Sequence, residues 1–121
     1  MRILLVDDEK DILDLMSDIL ESEGHTSISA PDGATAFALL KTQSFDLVIT
    51  DMIMPGISGM NVIDHIRENC PGTRVIVISG GDKVMPGDYL EHAASSGSTV
   101  IIRKPFSLTE FMDSVRAVTN T

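Results

Sequence analysis

Short apolar runs alternate with stretches of helical periodicity along the whole chain. Ile3-Leu4-Leu5-Val6 has no polar break and predicts a buried strand. Asp11–Glu23 carries Ile12, Met16, Ile19 and Leu20 at helical spacing, and Gly24 is placed to stop that helix. Thr26–Ala30 interleaves polar and apolar residues, which predicts a strand at a sheet edge. Pro31-Asp32-Gly33 is a turn, with Asp32 positioned to cap a helix running to about Lys41. Asp46–Thr50 is the third strand, and Asp51–Gly59 a loop containing Pro55 and two glycines. A helix to about Glu68 follows, with Met60, Ile63 and Ile66 on one face, and Pro71-Gly72 ends it.

The second half repeats the alternation. Arg74–Ile78 is a nearly pure β-branched strand, followed by a loop over Ser79–Lys83 and a helix near Pro86–Ser96. Thr99–Ile102 is the fifth strand. Ser107-Leu108-Thr109-Glu110 has the spacing of a capping box, and the helix behind it is expected to bury Leu108, Phe111, Met112, Val115 and Val118. Five strands alternating with five helices predict an α/β fold, a parallel sheet covered on both faces. Right-handed crossovers make it a doubly wound open sheet. Residues 1–121 read as one domain, without repeat, linker or low-complexity tract, and no output domain is expected within them.

Composition narrows the field of functions. With 121 residues and 43% hydrophobic content, the chain can bury a core and is not a disordered tail. Its formal net charge of −9 and lack of a basic stripe argue against direct binding to nucleic acid. No apolar run nears the roughly 18 residues of a membrane span, so a cytoplasmic location is the expectation. Cys70 is the single cysteine and can form no internal disulfide. His25, His65 and His92 show no metal-ligand spacing and read as exposed polar residues, while most of the seven methionines fall on apolar stripes.

Ligands of open α/β sheets bind beyond the carboxyl ends of the strands. There the first strand ends in Asp7-Asp8, the third in Asp51, the fourth in Ser79, and the fifth in Arg103-Lys104-Pro105. Three clustered carboxylates repel one another, and a hard divalent cation such as Mg²⁺ relieves that repulsion. An aspartate can also act as a nucleophile and form an acyl phosphate. Phosphoryl transfer then needs positioning and charge stabilisation, for which Lys104, the Ser79 hydroxyl and the Gly80 amide are suited. Arg103 points away from this rim by strand alternation.

Four segments carry a resemblance: Leu5-Val6-Asp7-Asp8-Glu9, Thr50-Asp51-Met52-Ile53-Met54-Pro55-Gly56, Ile78-Ser79-Gly80 and Arg103-Lys104-Pro105-Phe106. Each alone is weak. In this order, each at a strand end, they resemble the response-regulator receiver domain of two-component signalling over essentially the whole chain. The resemblance implies a (βα)5 flavodoxin-like sheet of strand order 2-1-3-4-5, the order known for chemotaxis members of the family. It implies Asp51 as phosphoacceptor, and Asp8 and Asp51 as direct Mg²⁺ ligands with the Ile53 carbonyl. Asp7 would act on the metal through a bound water. Met52, Ser79, Gly80 and Lys104 would contact the phosphoryl group, with a cis bond between Lys104 and Pro105. The implied donor is a sensor histidine kinase or histidine phosphotransfer protein. The implied recipient is a downstream effector or an attached output domain, met as a monomer or as a phosphorylation-dependent dimer.

This sequence departs from the family pattern in places. Ile101 stands where many members carry a rotating Tyr or Phe, and Ser79 replaces the commoner threonine. Gly80-Gly81 loosens the loop behind it. Two other functions compete with this reading. A Mg²⁺-dependent phosphatase on small molecules ordinarily needs a second carboxylate soon after the nucleophile, and Met52-Ile53-Met54 offers none. A phosphorylation-independent binding module with a receiver fold has Ile101 as its one support, since Asp8, Asp51 and Lys104 are all present.

Overall fold

The strands start where the apolar runs start, and three of them reach further towards the polar rim than those runs. In the computed structural model, which describes residues 1–52, 54, 56–80 and 99–119, β1 is Arg2–Val6, β2 Thr26–Ala30, β3 Leu47–Asp51, β4 Arg74–Gly80 and β5 Thr99–Lys104. The sheet is five-stranded and parallel, in the order β2-β1-β3-β4-β5. β2 is an edge strand, as its mixed pattern predicts. The described helices are α1 (Lys10–Ser22), α2 (Gly33–Thr42), α3 (Gly59–Asn69) and α4 (Leu108–Thr119). The helix expected near Pro86–Ser96 lies outside the described residues, as do Gly81 and His92.

Side-chain alternation along the strands sorts the core into two layers. Leu4 and Val6 of β1, Val48 of β3, and Val75 and Val77 of β4 join Ala36 and Leu40 of α2 and Val62, Ile63 and Ile66 of α3. Ile3, Leu5, Leu47, Ile49, Ile76 and Ile78 point the other way, onto Leu13, Met16 and Leu20 of α1 and Phe111, Met112, Val115 and Val118 of α4. Both faces being covered explains why the central strands read as unbroken apolar runs.

Local signals fix the element ends. Asp32 caps α2 by accepting the Thr35 amide at 2.7 Å. Ser58 and Asn61 form a complete capping box at α3, with Ser58 accepting from the Asn61 amide and the Asn61 side chain from the Ser58 amide. At α4, Ser107 accepts the Glu110 amide at 3.0 Å. Gly24 ends α1 with φ +87 in open space, so Gly24→Ala is expected to cost about 1 kcal/mol from backbone conformation alone. Equilibrium urea unfolding measures it.

Two expectations need correction. Leu108 is not buried: it is 60% exposed, because α4 turns its core face inward only from Phe111 onward. His65 and His25 are half-buried rather than exposed, and His65 rests on the Phe37 ring at 4.9 Å between centroids.

Candidate functional site

β1 and β3 are neighbours in the sheet, so the residues that follow their apolar runs arrive side by side. Asp7 is fully buried, Asp51 is 3% exposed, and Asp8 and Glu9 lie on the surface beside them. The carboxylates of Asp7, Asp8, Glu9 and Asp51 each bring an oxygen within 4.8 Å of the others. This is a hard, all-oxygen donor set, the chemistry Mg²⁺ selects. Among the described residues no histidine or cysteine joins it.

Lys104 closes the group from β5. Its Nζ donates to Asp7 Oδ2 at 3.1 Å, Glu9 Oε1 at 3.2 Å and Asp51 Oδ2 at 3.5 Å. Its side chain is 11% exposed, and its strand neighbour Arg103 is exposed. The Lys104–Pro105 peptide bond is cis, as the family resemblance implies. Burial works against the lysine's charge. The Asp51, Asp7 and Glu9 carboxylates together outweigh it and hold the ammonium above the usual lysine range. Burial is also the largest influence on Asp7 and, with the nearby Asp51 charge, raises its carboxyl. The Glu9 amide at 2.9 Å and Lys104 offset this in part.

The backbone under the site is pinned on both sides. Thr50 Oγ1 donates to the Asp51 carbonyl at 3.0 Å. The Met52 amide donates to the Ile78 carbonyl of β4 at 3.0 Å, and the Met52 carbonyl accepts the Gly59 amide at 2.8 Å. Met52's amide is therefore already engaged with β4, and its fully buried side chain belongs to the core. Ser79, expected to open a loop, is instead part of β4 and 4% exposed. β4 likewise includes Gly80, which stands beside Lys104 in the β4–β5 register. The Ile53 carbonyl lies outside the described residues. Ile101 pairs with Val77 and is half-buried against the α2–α3 layer.

Glu9 is the group member that the sequence reading did not assign. It stands third in an acidic run directly after a strand, and that run was its signal.

Comparisons with known proteins agree with this geometry. The family model described as "Response regulator receiver domain" matches residues 3–116. The "Probable transcriptional regulatory protein TcrX" of Mycobacterium tuberculosis is 32% identical over 98% of this chain and 49% of its own length. "Sporulation initiation phosphotransferase F" of Bacillus subtilis is 27% identical over 95% of this chain and 90% of its own. The crystal structure of a CheY-like response regulator receiver domain protein from Methanospirillum hungatei superposes with a TM-score of 0.88 at 25% identity, covering 96% of this chain and 90% of that one. The chain spans about half the length of several curated relatives that it matches. No described helix is long and apolar enough to cross a membrane. Because that family model spans nearly the whole chain, the chain belongs to the response regulator receiver domain family, signalling modules of two-component systems.

Proposed function

We propose that the chain is a phosphorylation-controlled switch that accepts a phosphoryl group on Asp51 in a Mg²⁺-dependent reaction. The observation that carries this reading is the buried Asp51 carboxylate held 3.5 Å from Lys104 Nζ within a cluster of four acids. Asp8, Asp51 and the Ile53 carbonyl would hold the metal, with Asp7 acting through a metal-bound water. Bound there, Mg²⁺ neutralises charge on the transferring phosphoryl oxygens.

The remaining chemistry belongs to the chain's own side chains. An Asp51 carboxylate oxygen attacks phosphorus, and the bond from phosphorus to the donor's histidine nitrogen breaks. The imidazole leaves with the electron pair and takes up a proton. Lys104 moves its hydrogen bonds from carboxylates to phosphoryl oxygens, keeping its charge where negative charge accumulates. Ser79 and the Gly80 amide supply further donors, and Met52 stays a backbone anchor. Hydrolysis of the acyl phosphate by water resets the switch, and this self-directed chemistry is the whole of its catalysis.

The donor is a sensor histidine kinase or a histidine phosphotransfer protein. The added charge favours one arrangement around Ser79 and Lys104, and so alters the surface offered to an effector or output domain. Residues 1–121 form one receiver domain that works in the cytoplasm, as a monomer or as a dimer formed on phosphorylation.

The test is intact mass after incubation with a small acyl-phosphate donor. One phosphoryl group is expected with Mg²⁺ and none with a chelator. No uptake with Mg²⁺, either from this donor or from a histidine kinase, would shift the reading to a phosphorylation-independent binding module.

A further inference from the structure

Gly59 opens α3 and is buried against the backbone of the phosphoacceptor itself. A Cβ built on Gly59 would stand 2.7 Å from Met52 Cα and 3.1 Å from the Asp51 carbonyl carbon, and closer still to the Asp51 carbonyl oxygen. These are backbone atoms, so no flexible side-chain end can swing aside. Its amide meanwhile donates to the Met52 carbonyl at 2.8 Å, while the Met52 amide is tied to Ile78 at 3.0 Å. The Asp51–Met52 peptide thus lies clamped between β4 and the first residue of α3.

α3 has little freedom to retreat. The Ser58–Asn61 capping box fixes its first turn, and Val62, Ile63 and Ile66 anchor it in the core. Gly33, at the start of α2, faces Ile57 of the same loop just as closely. We infer that Gly59 is a positioning residue for phosphoryl transfer: the absence of a side chain lets α3 seat the Asp51 backbone so that its carboxylate meets the phosphoryl group in line. The inference rests on the phosphoacceptor role proposed for Asp51.

Alanine ordinarily favours a helix over glycine. Here Gly59→Ala must move the Asp51–Met52 backbone, and misplacement of a nucleophile by about 1 Å costs up to about 100-fold in rate. The experiment follows phosphoryl uptake by intact mass against donor concentration with Mg²⁺. Gly59→Ala is expected to lower the rate at saturating donor by at least about tenfold, with little change in the half-saturating concentration, after correction for folded fraction by circular dichroism. Gly72→Ala, with open space around it, should keep the native rate. A folded Gly59→Ala at the native rate overturns the inference, as does an equal loss in Gly72→Ala. Should Gly59→Ala fail to fold, Ser58→Ala puts the same question without adding an atom. By unpinning the first turn it should slow uptake about threefold, on the same misplacement argument, and an unchanged rate overturns the inference. If the native protein takes up no phosphoryl group from either the small donor or a kinase, the Asp51 reading falls and takes this inference with it. If the native protein is labelled normally, only the role of Gly59 is at stake.

Discussion

Asp51→Asn is expected to take up no phosphoryl group under conditions that label the native protein fully, and to fold as the native chain does. The amide nitrogen and oxygen of asparagine are poor nucleophiles, so removal of one anionic oxygen removes the reaction. The fold should tolerate the change because two opposing effects of the carboxylate disappear together. Asp51 accepts from Lys104 at 3.5 Å, an attractive ion pair. It also stands close enough to the fully buried Asp7 to help raise that carboxyl. Asparagine keeps the shape, loses the ion pair and relieves the repulsion, so stability should stay within about 1 kcal/mol of native. Intact mass gives the first result and urea unfolding the second. Stoichiometric labelling of Asp51→Asn would place the phosphoacceptor elsewhere. A collapse in stability would mean that the ion pair outweighs the repulsion.

The sheet and most of the acidic cluster at its rim were legible in the sequence because both depend on short-range pattern. A buried parallel strand must be apolar throughout, so β1, β3 and β4 announced themselves, and the acids beyond β1 and β3 marked the rim. Strand ends were harder. Ser79, Gly80 and Lys104 read as loop or boundary, yet they continue the β4–β5 ladder, because backbone pairing persists after hydrophobicity stops. Leu108 misled for a related reason. Periodicity places it on the same stripe as Phe111 and Met112, but a first-turn residue sits beyond the edge of the layer that the stripe covers. The engagement of the Met52 amide with Ile78, and the tight seat of Gly59, are contacts between distant segments. No spacing within one segment reveals them.

Lys104→Met is expected to lower the stability of the chelator-treated protein by about 2 kcal/mol at pH 7, between the values for exposed and fully buried ion pairs. Methionine replaces the stem but leaves Asp7, Glu9 and Asp51 facing one another without their shared cation. The pH profile identifies the cause. Lys104's native pKa lies above the free value of 10.5, so its contribution is whole below pH 10.5 and is lost as pH rises through the native value. That alkaline loss should vanish in Lys104→Met. Asp7's native pKa also lies above its free value of 3.8. Below 3.8 the stability linked to its proton is complete, and it is lost as pH rises through the native pKa. Without the lysine, that pKa climbs further, so the metal-free variant should lose stability over a wider acid-to-neutral span than the native protein. Under the proposed function, Mg²⁺ and the Lys104 ammonium draw on the Asp7 and Asp51 carboxylates together. Saturating Mg²⁺, about 100 times its Kd, adds about 2.7 kcal/mol to a single-site protein at a given affinity. Removing the competitor raises that affinity, so the same Mg²⁺ concentration should stabilise Lys104→Met more than the native chain, while phosphoryl uptake falls. Equal metal stabilisation of the two proteins would mean that Lys104 does not share its carboxylates with the metal.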